Sequence, residues 1–89
     1  MPKERMQIVN IKGLHARASA KLVETVEGFN AEATVTKDGL DASGDSIMGL
    51  LMLAATKGTF IEVETTGPEA DALLAAITAL VADKFGEGD

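Results

Sequence analysis

AEATVTKDGLDAS, residues 31–43, is the stretch from which the rest of the chain can be organised. Ala31, Ala33 and Val35 alternate with Glu32, Thr34 and Thr36, the two-residue period of a strand with one apolar and one wet face. Asp38-Gly39 follows, and both residue types tolerate positive φ, as a tight two-residue hairpin requires. LDAS (40–43) is then the short returning strand. Working outward, TFIEVETT (59–66) alternates in the same way, with Ile61 and Val63 set against Glu62 and Glu64. ERMQIVNIK (4–12) also reads as a strand, but its apolar residues fall on both parities; we assign Met6 and Ile8 to the inward face. Strands of alternating polarity imply a sheet with one face in water and helices on the other.

Three helical patterns fill the intervals. ARASAKLVETVEG (16–28) places Ala16, Ser19, Leu22, Val23 and Val26 on one side at 100° per residue, with Arg17, Lys21 and Glu24 toward water and Gly28 as its stop. PEADALLAAITALVADKFG (68–86) has Pro68 near its first position, acids in the first turn and Lys84 in the last. Its inward stripe is Ala70, Leu73, Leu74, Ile77, Leu80 and Val81. The terminal EGD reads as a frayed end without a role. The predicted architecture is α+β, a single domain over residues 1–89 in the order β-α-β-β-α-β-α. It is an open-faced two-layer sandwich: a four-stranded antiparallel sheet with three helices on one face.

The middle helix, SIMGLLMLAATKG (46–58), is apolar almost all round. Such a helix is either enclosed by protein or displays apolar surface, and 89 residues leave too little chain to enclose it. Leu50 and Leu53 suit the core, whereas Ile47, Met48 and either Leu51 or Met52 are expected to form an exposed patch. Methionine suits a surface that meets several partners. Ser46 opens this helix, where a serine ordinarily serves as the cap.

Composition excludes several function classes. Net charge is −6 and the aromatics are three phenylalanines, which argues against nucleic acid, whose binders need clustered cations and stacking rings. Absence of cysteine removes disulfides, thiolate catalysis and thiolate metal sites, and one histidine makes a transition-metal site improbable. No cofactor is implied. No apolar run reaches membrane-spanning length and MPKERMQIV lacks a secretory core, so a cytoplasmic protein without membrane insertion is expected.

GLHARASAKL (13–22) holds the single histidine. Gly13 supplies a turn, and His15 falls at or just before the helix N-cap, where the first backbone N–H groups lack intrahelical partners. Those groups at the positive end of the helix dipole form a ready anion site, and Arg17 adds a guanidinium suited to phosphate oxygens. A ring nitrogen beside such donors can carry a phosphoryl group, a chemistry that needs positioning and charge stabilisation above all. A lone histidine near a helix start is more often an ordinary surface residue, so the surrounding run decides.

GLHARA, with Asn10 upstream, resembles the phosphorylation loop of the HPr family, the histidine-containing phosphocarriers of the bacterial phosphotransferase system. DSIMGLLML (45–53) resembles a second family motif at the family's spacing, so the similarity covers essentially the whole chain. The resemblance implies that His15 takes a phosphoryl group from enzyme I, charged by phosphoenolpyruvate, and hands it to a IIA-type acceptor, with Arg17 assisting. It implies partner docking through Ala16, Ala20, Ile47, Met48, Leu51 and Met52, a monomeric state and, where an HPr kinase/phosphorylase exists, regulatory phosphorylation at Ser46. Two positions depart from the pattern. Ala18 and Ser19 follow HAR where most sugar-branch members have proline after the arginine, and Ala54 stands where many have glycine. HARA-type loops resemble those of the nitrogen-related branch, which favours a regulatory phosphorelay over bulk sugar uptake.

Three other classes compete. A regulatory binding module would act by docking through Ile47–Met52 alone, and its activity would survive loss of His15. A ferredoxin-like sensing domain would need an enclosed pocket, which few aromatics are present to line. An independent enzyme lacks any evident base, metal set or cleft beyond His15 and Arg17.

Overall fold

The computed structural model describes residues 2–87. Its elements are β1 (Lys3–Gln7), α1 (Ala16–Glu27), β2 (Glu32–Lys37), β3 (Leu40–Ser43), α2 (Ile47–Met52), β4 (Phe60–Thr66) and α3 (Ala70–Ala82), followed by a 3-10 turn at Lys84–Gly86. The sheet order is β1-β4-β2-β3 and every neighbouring pair is antiparallel. β4 therefore enters between β1 and β2, and the α+β architecture read from the sequence is the one observed. The hairpin forms as expected: Asp38 and Gly39 have φ of 50° and 82°, and Lys37 pairs with Leu40.

The strand pattern sorts the two faces. Met6, Ala33, Val35, Ala42, Ile61 and Val63 are buried together with Leu22 and Val26 of α1 and Leu73, Ile77 and Val81 of α3. Thr65 is the one inward hydroxyl of β4, and it is satisfied by donating to the Ala70 carbonyl at 2.8 Å. On the other side Lys3 stands opposite Glu64 and Arg5 opposite Glu62, with the Arg5 guanidinium 4.2 Å from the centre of the Phe60 ring.

Four expectations are corrected. β1 ends at Gln7, short of residue 12, because the chain beyond Ile8 turns into the loop before α1. Ala16 is exposed and Ala18 buried. The two lie at opposite edges of the apolar stripe, each roughly 80° from its centre, so packing decides between them. α2 stops at Met52 well before residue 58, since Ala54 takes a left-handed φ of 53° and Ala55 turns inward. α3 begins at Ala70 with Glu69 as N-cap, so Pro68 lies outside the helix, and it ends at Ala82, leaving Lys84 beyond the last turn.

The reversal after α3 has a clear cause. Lys84 and Phe85 both adopt left-handed backbone (φ 56° and 55°), which costs roughly 2–4 kcal/mol together. In return the Phe85 ring is fully buried, worth about 2–3 kcal/mol. Lys21, expected in water, instead donates to the Phe85 carbonyl at 2.6 Å, adding about 1.5–3 kcal/mol.

Ala54 is the position where a side chain opposes its backbone. Ala54→Gly is expected to raise stability by about 0.5–1 kcal/mol, the left-handed penalty less the extra entropy of glycine, or roughly 2–8 °C in Tm. Thermal unfolding followed by circular dichroism reads it.

Candidate functional site

The loop before α1 lies directly on another stretch of backbone. Gly13 has φ +65°, and a β-carbon there would overlap the Ala55 carbonyl and crowd the Thr56 Cα. The next amide, that of Leu14, donates to the same carbonyl at 2.9 Å. Asn10 closes the loop from the other side: its carbonyl accepts from Gly13 N at 3.2 Å and its Nδ2 donates to the Gly13 carbonyl at 2.8 Å. The Leu14 side chain is buried, and its carbonyl accepts from the buried Ser19 hydroxyl at 3.2 Å. Residues on both sides of His15 are thus pinned.

His15 is the N-cap of α1, with extended backbone and a carbonyl that takes the first helical bond from Ser19 N at 2.8 Å. Its imidazole makes no capping bond. The amides of Ala16, Arg17 and Ala18 have no acceptor among the described residues, which leaves three donors at the positive end of a 12-residue helix. The ring is about a quarter exposed, at 26%. It borders an open pocket with Ile11, Lys12, Arg17, Lys21, Gly86 and Glu87. Three cationic residues therefore line the same pocket as the ring in a chain whose net charge is −6. The arrangement can hold an anion against the imidazole and exposes a face on which another protein can present one.

The reading of EGD as frayed is corrected. Glu87 is half-buried, its Oε2 bonds His15 Nε2, and its Oε1 accepts from Asn10 Nδ2 at 3.0 Å. Gly88 and Asp89 lie outside the described residues. Periodicity could not have found this contact, because the partners are 72 positions apart. An aromatic residue near the end of α3 was the one available hint.

The other singled-out residues fall as follows. Ile47, Met48, Leu51 and Met52 are exposed, Met48 and Met52 most of all at 70% and 75%, while Leu50 and Leu53 are buried. Ala16 is exposed and Ala20 half-buried on α1, against which α2 packs. Ser46 is the N-cap of α2, and its hydroxyl accepts from Gly49 N at 3.0 Å, so the ordinary capping role is present. Ile11, which drew no attention in the sequence, adds apolar surface at the rim of the histidine pocket. Among the described residues no group of His, Cys, Asp and Glu has the geometry of a metal site, and no helix is long and apolar enough to cross a membrane.

Gly13 is the tightest point of the site. Gly13→Ala combines a left-handed alanine with overlap on the 55–56 backbone and is expected to cost at least about 2 kcal/mol, measured by urea unfolding.

The family model described as the PTS HPr component phosphorylation site matches residues 2–83. The chain is similar to the phosphocarrier protein HPr of Neisseria meningitidis serogroup A, 48% identical over all of both chains. It is also similar to the phosphocarrier protein NPr of Escherichia coli K12, 44% identical over 96% of each. Among solved structures it resembles HPr-C-His from Thermoanaerobacter tengcongensis, with a TM-score of 0.93, 32% identity and 98% of each chain covered.

Proposed function

The chain belongs to the HPr family of phosphotransferase-system phosphocarriers, and on that premise we propose that His15 is the phosphoryl acceptor, charged by enzyme I and discharged to a IIA-type protein. The observation that carries this reading is the placement of His15 at the N-cap of α1, part-exposed, at a helix start where three amides lack an acceptor among the described residues, with Arg17 in the same turn. Each does a separate task. The amides and the Arg17 guanidinium stabilise the phosphate oxygens. The pinned backbone of Gly13 and Leu14 keeps the ring from following its partner as it departs. Lys12, Arg17 and Lys21 draw an acidic partner surface to the ring. Ile47, Met48, Leu51 and Met52, with Ala16 and Ala20 beside them, supply the apolar contact. The protein works in the cytoplasm as a monomer of one domain and is itself the phosphorylated intermediate.

The intact mass in the presence of phosphoenolpyruvate and enzyme I tests the reading. Gain of one acid-labile phosphoryl group is expected, with none in His15→Ala; Arg17→Ala should retain it but slow transfer roughly tenfold. No adduct with enzyme I of either branch would remove the carrier reading.

Ser46 is proposed as a regulatory site for a serine kinase of the HPr kinase/phosphorylase type. Its position at the start of α2 tolerates a phosphate, so the effect is electrostatic: added negative charge beside the apolar patch opposes an acidic partner and raises the cost of desolvation. Phosphorylation at Ser46 is expected to slow transfer from enzyme I while leaving the fold intact. Ser46→Ala should lose only the cap, about 1 kcal/mol of stability, with transfer unchanged. Equal transfer rates for the phosphorylated and unmodified forms would contradict this regulation.

A second reading rests on the exposed α2 patch: a regulatory module in a nitrogen-related phosphorelay, acting by docking on its targets. Similarity to both an HPr and an NPr protein, together with Ala18 after Arg17, supports keeping it. Retention of all biological activity by His15→Ala would favour it over the carrier.

A further inference from the structure

Glu87 bridges two groups of the site. Its Oε2 meets His15 Nε2, and its Oε1 accepts from Asn10 Nδ2, the same amide that donates to the Gly13 carbonyl. Asn10 is fully buried, so this bridge ties the carboxylate to the most tightly built part of the loop. The segment that delivers Glu87 is anchored as well, by the buried Phe85 ring and by the Lys21 bond to the Phe85 carbonyl. With the two side chains only 26% and 13% exposed, the contact is better shielded than a surface ion pair.

An ionised carboxylate only accepts hydrogen bonds, so the ring nitrogen facing it must carry hydrogen. A neutral imidazole has one N–H, and placing it on Nε2 leaves the lone pair on Nδ1. No hydrogen bond engages Nδ1 among the described residues. Resting on the phosphocarrier reading of His15, we propose that Glu87 is a positioning residue for phosphoryl transfer: its carboxylate holds the Nε2–H tautomer and so presents Nδ1 as the attacking atom.

The step balances without moving a proton. The Nδ1 lone pair forms a bond to phosphorus, the bond from phosphorus to the donor's carrying atom breaks, and its electron pair stays with the donor. The His15 ring is then an imidazolium that keeps its Nε2 hydrogen, and Glu87 faces the positive charge it has gained. Discharge reverses this: the acceptor bonds phosphorus, the P–Nδ1 bond breaks, and the pair returns to Nδ1. Orientation of an imidazole by a carboxylate on its second nitrogen is the same principle that operates in hydrolase triads, here used on a nucleophile.

Nitrogen-15 spectra of the imidazole, read beside single-turnover transfer from phosphorylated enzyme I, test the proposal. The wild-type ring should show a protonated Nε2 with a slowly exchanging hydrogen and an unprotonated Nδ1. Glu87→Ala should lose that slow exchange and mix the tautomers, and its transfer rate should fall about 3- to 10-fold with the core amide spectrum retained. Glu87→Gln keeps the size but not the charge, and its amide can turn an N–H toward Nε2; it should slow transfer at least as much. A wild-type ring spectrum and rate in the glutamine variant would overturn the role of Glu87, whatever the alanine variant does. A wild-type chain that takes no phosphoryl group would instead remove the carrier reading and this inference with it. Phosphorylation on His15 with a ring insensitive to residue 87 would remove the inference alone.

Discussion

The amide of Leu14 and the carbonyl of Ala55 meet at 2.9 Å, a hydrogen bond that ties the loop before α1 to the segment after α2. It requires the loop before α1 and the segment after α2 to touch backbone to backbone, which is why residue 13 can carry no side chain. It also explains why α2 is so short. Continuing that helix through Ala54 would carry the Ala55 carbonyl away from the loop. A good helix former is held in left-handed backbone because a buried donor and acceptor would otherwise go unpaired. The position of His15 is a consequence of this crossing, since the residue that follows Leu14 has nowhere to go but the helix entrance.

Electrostatics complete what the backbone begins. The chain as a whole is acidic, yet Lys12, Arg17 and Lys21 line the imidazole's pocket, where Glu87 is the one acid among the described residues. On the sheet's wet face Glu62 stands opposite Arg5 and Glu64 opposite Lys3. The cations of the histidine pocket are a local exception to the acidic balance. That arrangement suits a carrier that must attract a phosphorylated partner at one spot without adhering to anionic surfaces elsewhere.

Much of this was legible in the sequence, for physical reasons. Alternation in residues 31–36 and 59–66 reflects a sheet wet on one face only, and Asp38-Gly39 has few conformations other than the hairpin it forms. The helical run from Ala16 and the exposed surface of α2 followed from the same kind of pattern. The failures share a different cause. Nothing local marks the end of α2 at Met52, because Ala54 and Ala55 favour helix and only the contact with Leu14 forbids it. Nothing local marks the turn at Lys84 and Phe85, where two ordinary residues take glycine-like backbone to bury a ring. Glu87 was missed for the same reason, as its partners lie at the opposite end of the chain. The histidine itself stood out only through the residues around it.

Insertion of β4 between β1 and β2 has a temporal consequence. During synthesis the first three strands emerge as a hairpin and an unpaired ribbon, because the strand that joins them is encoded after residue 59. Contacts of such long sequence separation form late and together. The histidine loop, leaning on residue 55 and reached by residue 87, takes shape in that same final step. Until β4 joins the sheet the imidazole would therefore lack its surroundings, and the complete site would arrive all at once with the closing of the sheet.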